Sequence, residues 1–237
     1  MTVMAHGATN GDGTIMQTVA LRWPRWLPWP VGPRLRRMEP PLRSELFSIE
    51  QLTRHAKVLA SEHKTIVQRG QNGLLARLQD NEQTLRAFNR ATVTINRQRQ
   101  VTPAAEWLLD NSYLIEEQIQ LARRHLPRHY SRELPRLLDG PSAGFPRVYD
   151  LVLNLISHAD AQVDTGPLTA FVAAYQTANP LKLGELWAIP IMLRLGLIEN
   201  LQRITSRLVI ARGDRDLADR WVDRLQVMAE KNPSHLV

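Results

Sequence analysis

From Ser48 onward apolar residues recur at three- and four-residue intervals, and no segment alternates apolar with polar residues as a half-buried strand does. That spacing restricts the chain to an all-α fold, because only a helix gathers positions i, i+3, i+4 and i+7 onto one face that a core can bury. Proline and glycine divide the pattern. Ser48 and Gln51 have the spacing of a capping box, and the stripe Ile49, Leu52, Ala56, Leu59, Ile66 predicts a first helix reaching about Gln68. Gly70, Asn72 and Gly73 break it, and Leu74, Leu78, Leu85, Phe88 and Ile95 mark a second.

Thr102-Pro103 opens a third helix, since proline is tolerated where its missing N–H has no partner, and Leu108, Ile115, Ile119 and Ala122 carry it to about His125. A short helical turn around 132–138 precedes Asp139-Gly140-Pro141 and Gly144-Phe145-Pro146, which are turn signals. Pro146 to His158 reads as helix four, and Asp164 to Asn179-Pro180 as helix five. Leu183 to Ala211 reads as helix six, with Pro190 a kink signal. Gly213-Asp214 is expected to separate a last amphipathic helix bearing Leu217, Trp221, Leu225 and Met228. The expectation is an irregular multi-helix bundle of about six to seven helices over 43–230, with a disordered tail at 1–42 and a short one at 231–237.

The first forty residues are rich in Gly, Thr and Pro and hold Trp23, Trp26 and Trp29 among arginines, a mixture suited to weak contact with an anionic membrane surface. They also hold three of the seven net positive charges, so the helical part carries interspersed charge of both signs. No helix presents a continuous basic face, and no nucleic-acid partner is expected. No run reaches the roughly 18–20 apolar residues that a membrane helix requires, so a cytoplasmic location is expected.

Catalytic signatures are sparse. With no cysteine, a thiolate metal site is out of reach, and His55, His63, His125, His129 and His158 form no His-Glu-x-x-His pair. No glycine-rich phosphate loop or Gly-x-Ser-x-Gly elbow occurs, so neither metal nor cofactor is expected. The one suggestive stretch lies on helix three, where Glu106 and Asp110 are four apart and Tyr113 and Glu117 continue their face. Paired carboxylates beside aromatic rings are what glycoside hydrolysis uses, but every charged helix face makes such pairs, and the expected role is a polar seam between packed helices.

Several blocks resemble, in order, the N-terminal helical region of bacterial cyclic β-1,2-glucan synthases. They are Leu46–Gln51, Thr102–Asn111, Ile115–Gln118, Tyr130–Pro135, Gly144–Tyr149, Ala174–Gln176 and Leu183–Ala188, with Arg194 and Glu199-Asn200. The resemblance implies membrane enzymes that use UDP-glucose to initiate, elongate and cyclise a glucan. Those activities belong to modules that these blocks do not include, so no catalytic residue carries over. It implies a non-catalytic helical scaffold at the cytoplasmic face of the inner membrane, docked on the remainder of a synthase or another membrane-bound subunit. A cleft touching glucan and a free-standing helical interaction domain are the alternatives.

The candidate polar and aromatic surface comprises Glu106, Trp107, Asp110, Asn111, Glu117, Tyr130, Arg147, Tyr149, Glu185 and Trp187. Aromatic residues at helical spacing usually belong to a core, so Trp107 and Trp187 are expected to be buried. Their removal would then cost about 3–5 kcal/mol each.

Overall fold

A computed structural model describes residues 39–67, 73–96, 101–126 and 133–231, which fall within one unit, Arg36–Val237. Helix α1 spans Ile49–Glu62 and begins as its sequence requires: the Ser48 hydroxyl accepts from the Gln51 backbone N–H, and the Gln51 side chain accepts from that of Ser48. Leu52, Ala56, Leu59 and Ala60 form its buried face. The helix stops six residues short of the expected Gln68. His63 turns the backbone to ψ 102°, and Thr65–Ile66 becomes strand β1.

Strand β2, Arg136–Leu137, pairs with it antiparallel, Thr65 opposite Leu137 and Ile66 opposite Arg136. This small ribbon replaces the end of the first predicted helix and most of the helical turn expected around 132–138, of which residue 132 lies outside the described residues. Two residues per strand are too few to show an alternating pattern, so sequence periodicity had nothing to register.

Helix α2 spans Gly73–Asn96. The predicted third helix is two helices, α3 at Pro103–Asp110 and α4 at Ser112–His125, divided at Asn111 with φ −95° and ψ 10°. The Asn111 side-chain amide donates to the Trp107 carbonyl at 2.8 Å, and that oxygen also accepts from the Asn111 backbone N–H at 3.0 Å, so side chain and backbone together cap the end of α3. Helix α5 spans Arg147–His158 and follows a turn in which Gly140 and Gly144 sit at φ +83° and +82°, a region that side-chain-bearing residues avoid. Helix α6 spans Thr165–Gln176.

Helix α7 runs from Leu183 to Lys231, 49 residues. It passes through Pro190 and also through Gly213-Asp214, where a break was expected. A lone helical glycine costs only about 1 kcal/mol, and Arg212 with Asp216 and Arg215 with Asp219 stand at the i,i+4 spacing that supports a helix across it.

The core has two parts that share α5. Val148, Val152 and Ile156 pack with α2, α4 and α7 residues such as Leu78, Ile119 and Met192. Leu151 and Leu155 pack with α1 and with Phe171 and Tyr175 of α6. At Gly196 helix α7 lies so close to α5 that a Cβ would sit 2.7 Å from Ile156 Cδ1. Among the described residues no helix is long and apolar enough to cross a membrane.

Candidate functional site

The buried start of α5 is also where the ionisable side chains concentrate. Arg147, only 4% exposed, meets the Glu185 carboxylate along one edge of its guanidinium, Nε donating to Oε1 at 2.6 Å and Nη2 to Oε2 at 2.7 Å. It also donates to Asn179 Oδ1 and the Pro180 carbonyl, and its guanidinium lies over the Tyr175 ring at 6.0 Å. Glu185 is 1% exposed and takes a further bond from the Lys182 backbone N–H at 2.9 Å. The pair thereby ties α5 to the start of α7 and to the loop after α6. Burial opposes charge on Arg147, but its bonds and attraction to Glu185 outweigh it and hold the guanidinium ionised.

Beside this pair runs a chain of polar contacts joining α1, α5 and α6. The Tyr175 hydroxyl and His63 Nδ1 are 2.9 Å apart, and His63 Nε2 lies 3.2 Å from Asp150 Oδ2. Asn154 donates to the same Asp150 oxygen at 2.9 Å, and its own Oδ1 lies 3.1 Å from His55 Nε2. Burial pushes the Tyr175 phenol up to about 12, although Arg147 pulls the other way, so Tyr175 stays protonated as a hydrogen-bonding group. His63 is fixed between two partners, which explains why the chain leaves the helix there.

A second cluster joins α2 to α7. Glu199, 2% exposed, accepts from Arg77 Nε at 2.8 Å, Asn81 Nδ2 at 2.8 Å and Arg203 Nε at 2.9 Å. Glu39 bridges the same two arginines, the Pro40 carbonyl accepts from Arg203, and Asn200 accepts from the Leu42 backbone N–H. Burial would raise the Glu199 carboxyl, yet Arg77, Asn81 and Arg203 together hold it at about 2. Tyr149 is buried beside this cluster, and burial first, then the Glu199 charge, drives its phenol well above the ordinary tyrosine range. Leu74, Arg77, Leu78, Asn81, Tyr149 and Leu195 close around it without room for a water molecule.

The residues proposed from sequence thus divide into two groups with opposite fates. Arg147, Tyr149 and Glu185 are interior, and the first and last are direct partners. Glu106, Trp107, Asp110 and Glu117 are on the outside, with Trp107 54% exposed. Trp187 is 71% exposed, so the expectation that both tryptophans are core is wrong: each lies on the outer face of an amphipathic helix whose opposite side carries the core, Leu108 for α3 and Ala188 and Met192 for α7. The break at Asn111 also separates Glu117 from the face of Glu106 and Asp110, so the expected continuous carboxylate row is interrupted. Tyr130 and His129 lie outside the described residues.

Sequence reasoning missed Arg77, Glu199 and Arg203 as a unit, and likewise His63, Asp150 and Tyr175. Glu199 and Tyr175 stood in blocks of the family resemblance, and the i,i+4 spacing of Glu199 and Arg203 was a legible signal, but nothing in spacing joins Arg77 to Glu199 or His63 to Asp150 and Tyr175. Among the described residues no group of His, Asp or Glu is placed to hold a metal ion. The geometry is that of closed electrostatic clamps: the Glu185 and Glu199 carboxylates at their centres are buried and saturated by donors.

No protein-family model matches the chain. Among curated proteins it is similar to the cyclic beta-(1,2)-glucan synthase NdvB of Rhizobium meliloti (strain 1021), with 37% identity over 190 residues, 78% of this chain and 6% of that protein. The chain therefore spans a small part of the length of the curated relative it matches.

Proposed function

The helical unit is related to one region of the cyclic β-1,2-glucan synthases, and we propose that it serves as a non-catalytic scaffold that docks against the remainder of such a synthase. One observation carries this reading: the clustered ion pairs are closed off inside the unit, while several large apolar side chains stand exposed on its surface. Arg147–Glu185 and Arg77–Glu199–Arg203 are sealed ion pairs, whereas Trp107, Tyr113, Leu114, Leu183 and Trp187 are exposed. An enzyme needs the opposite, reactive groups opening on a cavity. Exposed aromatics on a rigid helical frame are what a protein interface uses as anchors.

The same rings would stack on sugars, so the test separates docking from glucan binding. Trp107→Ser and Trp187→Ser are introduced singly and together into the 237-residue chain expressed beside the rest of a glucan synthase. The expected result is wild-type melting, loss of co-purification with the synthase, and no change in the weak or absent retention on immobilised β-1,2-glucan. Glucose release from β-1,2-glucan by the purified chain, or loss of glucan retention with docking intact, overturns the scaffold reading.

A further inference from the structure

The second half of α7 leaves the core and keeps an apolar stripe that none of the described residues covers. Thr205 is its last buried residue, and from 206 to 228 every side chain is partly or fully exposed. Leu201, Thr205 and Leu208 face the core. Ile210, Leu217, Trp221 and Met228 lie on the opposite side of the same helix, with Ile210 40%, Trp221 53% and Met228 56% exposed. At 1.5 Å per residue this free segment is about 35 Å long, and a single helix of that length with one apolar side is marginal in water without a packing partner.

Written as a heptad, the stripe places Asp214, Trp221 and Met228 at a, and Ile210, Leu217 and Arg224 at d. Only two of these six residues are charged, and they are of opposite sign. In an antiparallel pair of helices each a residue layers against a d residue of the other. Reversing the helix about Asp219 sets Ile210 against Met228, Asp214 against Arg224, and Leu217 against Trp221 of a second copy, then the same three layers in reverse. Each charged interruption of the stripe thereby meets its complement twice, and the small residues Ala211, Gly213 and Ala218 beside the seam allow close approach.

We propose that residues 210–228 form a two-fold antiparallel coiled coil with a second copy of this chain. The isologous geometry follows from the symmetric placement of Asp214 and Arg224. A membrane surface is a poorer occupant, because Arg212, Arg215, Arg220 and Arg224 are matched by Asp214, Asp216, Asp219 and Asp223, whereas interfacial helices carry a net basic polar face. The pairing stands apart from the docking of Trp107 and Trp187, which lie on other surfaces.

Sedimentation equilibrium of the full chain between about 1 and 100 μM, the range in which a short coiled coil associates, tests the pairing. The mass is expected to rise from 27.0 kDa toward twice that value. Arg224→Asp creates two like-charged layers and is expected to weaken association at least about tenfold, with melting of the core unchanged. Exchanging both charges, Asp214→Arg with Arg224→Asp, is expected to restore wild-type association. A mass that stays at 27.0 kDa throughout, or a double exchange as weak as the single one, overturns the proposal, as does binding of anionic vesicles by a chain that remains monomeric.

Discussion

Replacing Glu199 by glutamine removes one charge while nearly preserving shape, and it tests the electrostatic account of the α2–α7 contact directly. Glu199 is 2% exposed and satisfies two buried arginines, whose side chains are 12% exposed at Arg77 and 10% at Arg203. The carboxyl is held at about 2 against an ordinary 4.5, which corresponds to about 3 kcal/mol of folded-state stabilisation of the charged form. The expected loss in Glu199→Gln at neutral pH is therefore about 3 kcal/mol. That is the lower end of the range for breaking a buried ion pair from one side, because Glu39 still bridges both arginines.

The folded value lies below the unfolded one, so the contribution is complete above about pH 4.5 and disappears as pH falls toward about 2. Urea unfolding of both proteins over that window should show a gap of about 3 kcal/mol that closes on acidification, since protonated Glu199 resembles glutamine. A gap below about 1 kcal/mol at neutral pH, or one that does not narrow with acid, would refute the reasoning.

Trp107→Ala and Trp187→Ala should each change stability by no more than about 0.5 kcal/mol, whereas Phe171→Ala, fully buried on α6, should cost about 3–5 kcal/mol; thermal melts of the three variants decide it. Arg147→Met leaves Glu185 charged and buried and should cost about 3–5 kcal/mol. Adding Glu185→Leu should recover much of that loss, as a double-mutant cycle in urea would show. Ser48→Ala removes half of the α1 capping box, and the expected decrease is about 1 kcal/mol by the same measurement.

What the sequence disclosed follows from which interactions are local. The capping box at Ser48, the limits of α5, and the apolar faces of α1, α2 and α4 all depend on residues within a turn or two of one another, and each was legible. The break at Asn111 is also local, but a side-chain amide capping one carbonyl leaves no mark on hydrophobic periodicity, and the helix reads as continuous. The β1–β2 ribbon pairs Ile66 with Arg136, seventy residues away, over two residues per strand, and has no periodicity to detect.

Of the candidate surface, Arg147, Tyr149 and Glu185 are interior, for a more general reason. Hydrophobic patterning assigns aromatics to the interior and charges to the exterior, and this protein departs from that rule in both directions where α5 meets the start of α7. Arg147 and Glu185 lie 38 residues apart and look like solvated charges until a bidentate pair and the Lys182 N–H saturate them. Trp187 stands two residues beyond Glu185, and on a helix that is about 200° around the axis, so the turn that buries Glu185 must send Trp187 outward. The same argument joins α7's two halves. Leu217 lies eighteen residues beyond Glu199, five whole turns, so the face that inserts Glu199 among the arginines of its neighbours continues as the stripe from Ile210 to Met228, where it is exposed and left for another surface to cover.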